Sequence, residues 1–142
     1  MKIQRKMAAT VAGLSMLGLT TLVGTAPAAQ AVGGTVHGCP HGAVCLYPQD
    51  KGWNADRPSY VYWSYGAHNL SGQYGNHYVL NNQYDACSGC GWAEASLFSG
   101  YNATGTELRR LAPWDHQPYQ GRSWDNINLT PVNSINMWVV GP

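Results

Sequence analysis

The stretch Cys39-Pro40-His41-Gly42-Ala43-Val44-Cys45-Leu46-Tyr47 constrains the fold most, because two cysteines bracket a Pro/Gly loop that runs straight into an apolar strand. Pro40 and Gly42 deny the segment a helical turn, and a bond between the two cysteines would pin the first strand before any core exists. Such a staple belongs to an oxidising compartment. The N-terminus agrees: Lys2, Arg5 and Lys6 are basic, Met7 to Gly24 is apolar or small, and Ala29-Gln30-Ala31 offers a small-x-small cleavage site. Residues 1–31 therefore read as a secretory signal peptide. Its Thr, Ser and Gly content argues against a membrane anchor.

Removing it leaves residues 32–142, which is the length of one domain. The remaining side chains are five basic (Lys51, Arg57, Arg109, Arg110, Arg122) and seven acidic, a net charge of −2. That balance argues against nucleic acid and anionic membrane as partners, since both need clustered cations. Arg109-Arg110 is the one basic pair and reads as a solvated strand face. All four cysteines, Cys39, Cys45, Cys87 and Cys90, fall in this mature part. Three connectivities exist, and spacing favours Cys39–Cys45 and Cys87–Cys90. A redox reading of Cys87-Ser88-Gly89-Cys90 lacks the βαβ context and helix N-terminus that lower a thiol pKa.

After residue 32 no window repeats apolar residues at helical spacing, and Gly91-Trp92-Ala93-Glu94-Ala95 is the one weak helix candidate. Strand-like runs recur instead at 43–47, 60–63, 77–80, 95–98, 106–109 and 134–140, separated by turn residues. The expected fold class is all-β, a sandwich or barrel. An internal echo divides it. Each half, about 39–86 and 91–142, reads as a strand, a Gly/aromatic hairpin, more strand, then Asn69-Leu70-Ser71 or Asn128-Leu129-Thr130 leading into a closing strand. Two such halves make a pair of Greek keys.

Five segments carry a resemblance: Cys39 to Tyr47, Asn69-Leu70-Ser71, Val79-Leu80-Asn81-Asn82, Gly100 to Thr106, and Asn128 to Ile135. Together they resemble the secreted actinobacterial peptidase-inhibitor family typified by metalloproteinase inhibitors, over nearly the whole mature chain. The resemblance implies a βγ-crystallin-like double Greek key with two disulfides, acting as an extracellular inhibitor of a protease, in first place a metalloprotease. It also implies that the second disulfide loop carries the inhibitory strand.

A rigid inhibitor presents a loop already held in its bound conformation, so that little ordering entropy is lost on docking. The ring Cys87-Ser88-Gly89-Cys90 with Trp92 beside it is one candidate. The other is Ala112 to Tyr119, where Pro113 and Pro118 stiffen a segment bearing Trp114, His116 and Tyr119. The candidate inhibitory residues are thus Ser88, Gly89, Trp92, Trp114, His116 and Tyr119.

Other chemistry finds less in the sequence. His37-x-Cys39-x-His41 loses its cysteine to the expected disulfide, and His68 and His77 lack ligand spacing, so no zinc is expected. Crystallin-type domains hold calcium on paired Asn/Asp before Ser/Thr-Ser, whereas Leu129-Thr130 stand in that place here, so no metal or cofactor is expected. Neither H-E-x-x-H nor G-x-S-x-G occurs and no cysteine is left over as a nucleophile, so no catalytic residue is assigned. Six Trp and nine Tyr leave one rival open: a glycan- or cell-wall-binding module with antimicrobial, killer-toxin-like action, its sugar face drawn from Trp53, Tyr60, Tyr62 and Trp63.

Overall fold

In the computed structural model, residues 34–84, 91–114 and 122–141 are described. They form eight strands: β1 (Ala43–Leu46), β2 (Tyr60–Tyr62), β3 (Gly66–Asn69), β4 (Asn76–Asn82), β5 (Trp92–Phe98), β6 (Glu107–Leu111), β7 (Trp124–Asn128) and β8 (Ser134–Val140). One 3-10 turn, Tyr101–Ala103, lies between β5 and β6, and no α-helix occurs among the described residues. The weak helix candidate at 91–95 is instead the start of β5. Alternation decides it: Ala93, Ala95 and Leu97 face one side and Trp92, Glu94 and Ser96 the other, a period of two.

The strands make two four-stranded antiparallel sheets, ordered β2-β1-β4-β7 and β3-β8-β5-β6. The result is a sandwich and not a closed barrel. Each sheet takes three strands from one half of the chain and its edge strand from the other. β3 leaves the first half to pair with β8, and β7 leaves the second to pair with β4. The two halves are therefore interleaved. Neither could bury its own inner face alone.

Between the sheets lies the main core, Val44, Leu46, Leu70, Val79, Ala95, Leu97, Leu111, Leu129, Val132, Ile135 and Met137, with Tyr62 and Ile127 packed against it. Leu70 and Leu129 come from the Asn-Leu-Ser/Thr turns. Those turns do more than reverse the chain: they plug the far end of the core.

A second apolar cluster covers the outer face of the first sheet: Cys39, Ala43, Cys45, Tyr47 and Leu80, flanked by Val36, Trp53, Val61, Tyr78, Trp114 and Trp124. Strand β1 is consequently buried on both faces. The disulfide Cys39–Cys45 is formed, with the two Cα atoms 5.7 Å apart. It folds the preceding segment back over β1. There the Tyr47 hydroxyl donates to the His37 carbonyl at 2.7 Å, and the His37 ring stacks on Trp53 at 3.9 Å. His37 Nδ1 also meets Asp56 Oδ1 at 3.0 Å. Gly38 makes this approach possible: its φ is +74°, and a Cβ would lie 1.7 Å from the Asp56 carbonyl oxygen. Cys87 and Cys90 lie outside the described residues.

Arg109 and Arg110 lie exposed on strand β6, as expected, and both are also ion-paired. Arg109, on edge strand β6, forms an ion pair with Asp125 on edge strand β7, which ties the two sheets along one seam. Arg110 donates to both oxygens of Glu107, at 2.7 and 2.9 Å, and lies 3.4 Å from Glu94.

Candidate binding surface

Strand register gathers most of the sequence candidates at one end of the sandwich. Asn82 pairs with Ala43 and Leu80 with Trp124, so the end of β4 lies beside the starts of β1 and β7. Trp92 pairs with Val140 and Ala95 with Leu111, so the start of β5 lies beside the ends of β8 and β6. The chain enters 85–90 from Tyr84 and returns at Gly91; it enters 115–121 from Trp114 and returns at Arg122. Both candidate loops spring from this end.

One buried amide ties their roots together. Asn81 is fully buried and points from the first sheet into the sandwich, where its Nδ2 donates to the Ala93 carbonyl of β5 at 3.1 Å and to the Leu111 carbonyl of β6 at 2.9 Å. Its Oδ1 accepts from the Gln83 N–H, and its own N–H donates to the Ser123 carbonyl at 2.7 Å. The roots on β4, β5, β6 and the segment before β7 thus share a single residue. Gly91 fixes one more root: with φ +94°, its Cβ position would fall 1.6 Å from the Val140 carbonyl oxygen, so the chain there passes against β8.

Of the sequence candidates, Ser88, Gly89, His116 and Tyr119 lie outside the described residues, together with the ring cysteines. Trp92 is half-buried at the start of β5, and its indole N–H donates to Glu94 Oε1 at 2.9 Å. Trp114 is not a free anchor. It packs on the second cluster, its ring edge-on to His37 at 6.4 Å, because the outer face of β1 and β4 needs cover.

The aromatic face drawn for a sugar is likewise divided. Trp53 meets Tyr47, Tyr78 and Trp124 edge-on at about 5 Å within the second cluster. Tyr62 packs against the main core, where burial and the neighbouring Tyr60 push its phenol up to about 12. Trp63, which follows Tyr62, is exposed, and so are Tyr65 and Tyr84. Burial and nearby Tyr84 raise the Tyr65 phenol, and the His41 ring lies 5.0 Å from the Tyr84 ring. These three rings form an exposed aromatic rim at the same end as the loop roots.

Sequence reasoning passed over Asn81, Glu94, Asn136 and Trp138. The one available signal was a pair of amides, Asn81-Asn82, closing an otherwise apolar strand. Buried amides inside a strand need partners, and partners mean a junction. Among the described residues no group of three or more His, Cys, Asp or Glu side chains is placed to hold a metal ion.

No protein-family model, no curated protein and no solved structure matches the chain.

Proposed function

We propose that the protein is a secreted, non-catalytic inhibitor of an extracellular protease, a metalloprotease in the first place, that binds its target through the loop-bearing end of the sandwich. The observation that carries this reading is the shared anchoring of both candidate loops: their roots are adjacent and cross-bonded through Asn81. Loops held at both roots lose less entropy on docking than loops free to swing. The exposed rim of Trp63, Tyr65 and Tyr84 beside those roots adds rigid aromatic contact area of the kind that dominates protein interfaces.

The exchange of β3 and β7 between the sheets supports reading the fold as a crystallin-like double Greek key, as the resemblance to secreted peptidase inhibitors implies. A second disulfide, Cys87–Cys90, would complete the loop anchoring. The disulfide Cys39–Cys45 is in keeping with export behind a signal peptide at 1–31.

The test is a panel of secreted metallo- and serine proteases titrated with the domain comprising residues 32–142. At least one should be inhibited stoichiometrically. Tyr119→Ala, or replacement of Ser88-Gly89 by a longer linker, should weaken that inhibition by about thirtyfold, a hot spot's worth of roughly 2 kcal/mol. A panel without inhibition, or inhibition indifferent to both loops, ends this reading.

A further inference from the structure

The two outer faces of the sandwich are unlike. The first sheet's is roofed by the stapled N-terminal segment and by Trp53 and Trp114. The second sheet's outer face carries no such cover from the described residues, yet it is not lined like an ordinary solvated face. Adjacent strands bring Trp92, Glu94 and Ser96 of β5 beside Asn136 and Trp138 of β8, with Glu94 opposite Trp138 and Ser96 opposite Asn136. The β3 edge continues the row: Gly66 pairs with Met137, which sets exposed Tyr65 beside Trp138 and small, exposed Ala67 beside Asn136.

The indoles are oriented by the sheet itself. Trp138 donates its N–H to the Ser96 hydroxyl at 3.3 Å, and Trp92 donates to Glu94 Oε1 at 2.9 Å. Between them stand two polar groups, one paired with Arg110 and one without a side-chain hydrogen bond to the described residues. Glu94 is only 8 % exposed, and its Oε2 has no hydrogen-bond partner, its nearest opposite charge being Arg110 at 3.4 Å. The Asn136 carboxamide, diagonal to it, makes no side-chain hydrogen bond to the described residues. A half-buried amide beside preset indoles is the kind of group that holds a sugar hydroxyl while a flat apolar face stacks on a ring.

We infer that the outer face of the second sheet, centred on Trp138 and Asn136, binds an uncharged oligosaccharide. The charge on this face selects among sugars. Glu94 and Glu107 outnumber Arg110, which is held by Glu107 and lies over one side of the Trp138 ring at 5.2 Å, so an anionic glycan would meet net repulsion while a neutral one would not. The platform shares Trp92 and Tyr65 with the loop-bearing end but lies on the outer sheet face, and it does not rest on the inhibitory reading. A negative protease panel would leave it standing.

The experiment titrates the domain with uncharged hexasaccharides, β-1,4-glucan, β-1,3-glucan, chitin, xylan and mannan, with a sulfated oligosaccharide as the counter-probe, following tryptophan fluorescence and backbone amide shifts. At least one uncharged sugar should change the emission and shift amides within 65–67, 92–96 and 136–140. Asn136→Ala, a half-buried side chain whose loss leaves the core intact, should weaken that binding roughly tenfold, and Trp138→Ala should do at least as much. No binding to any uncharged sugar at millimolar concentration overturns the inference. So does binding of the sulfated probe alone, or binding unchanged in both variants.

Discussion

Leu70 and Leu129 occupy equivalent places at the far end of the sandwich and are bonded crosswise. The Leu70 N–H donates to the Asn133 carbonyl before β8, and the Leu129 N–H donates to the Gly75 carbonyl before β4, each at 2.8 Å. Each turn therefore closes on the other half of the chain. The crosswise bonds, like the exchange of β3 and β7, make the sandwich one cooperative unit, and urea unfolding should follow a single transition by fluorescence and by circular dichroism.

Asn81→Ala should be among the most damaging single changes. It leaves the buried Ala93 and Leu111 carbonyls without a donor and opens a small cavity, for a cost of about 3 kcal/mol. The midpoint of urea unfolding should fall accordingly. A loss under about 1 kcal/mol would mean that water replaces the amide and that the loop roots are not tied through it.

Gly91→Ala should destabilise by more than the loss of a permissive φ alone. A Cβ there meets the Val140 carbonyl oxygen, so the chain must move away from β8. Gly34→Ala is the control, since no atom lies near its added Cβ. Melting temperatures should separate the two variants clearly.

The seam between β6 and β7 rests on Arg109 and Asp125. Asp125 is nearly buried, with Arg122 3.6 Å away as a second, exposed partner. Arg109→Ala strips a buried carboxylate of its main partner and should cost about 2 kcal/mol. Adding Asp125→Asn to Arg109→Ala should recover part of that loss. A cycle with no coupling between the two positions would show the seam to be ornamental.

At alkaline pH the tyrosines separate. Burial raises the Tyr47 and Tyr62 phenols, Tyr62 to about 12, while an unfolded tyrosine titrates near 10. A folded-state value raised above the unfolded one gives stability that is complete below about pH 10 and drains as pH climbs toward the folded value. Tyr62→Phe should therefore lessen the alkaline loss of stability between about pH 10 and 12. Ultraviolet absorbance of phenolate, followed with the unfolding midpoint, measures it.

Six of the eight strands are legible in the chain because each alternates or runs apolar, and the disulfide Cys39–Cys45 follows from a short loop that can close on itself. The two missed strands are instructive. β3 reads Gly-Ala-His-Asn and β7 reads Trp-Asp-Asn-Ile-Asn, polar sequences at sheet edges with little apolar pattern to betray them. They are also the two that change sheets. An edge strand needs few buried side chains, since backbone pairing to one neighbour holds it, so its sequence carries little record of its partner.

Local chemistry by itself determined what the backbone can do at each point: the staple at Cys39, the turns at Asn69 and Asn128, and the all-β character. Only the tertiary structure decided which surfaces remain. Trp53, Tyr62 and Trp114 look like ligands in sequence and are spent on apolar cover, whereas Trp138, Asn136 and Glu94, unremarkable in the chain, are brought together on the outer face of the second sheet. The physical reason is that an aromatic ring stacks equally well on a core or on a partner, and the choice depends on apolar area contributed by strands distant in sequence.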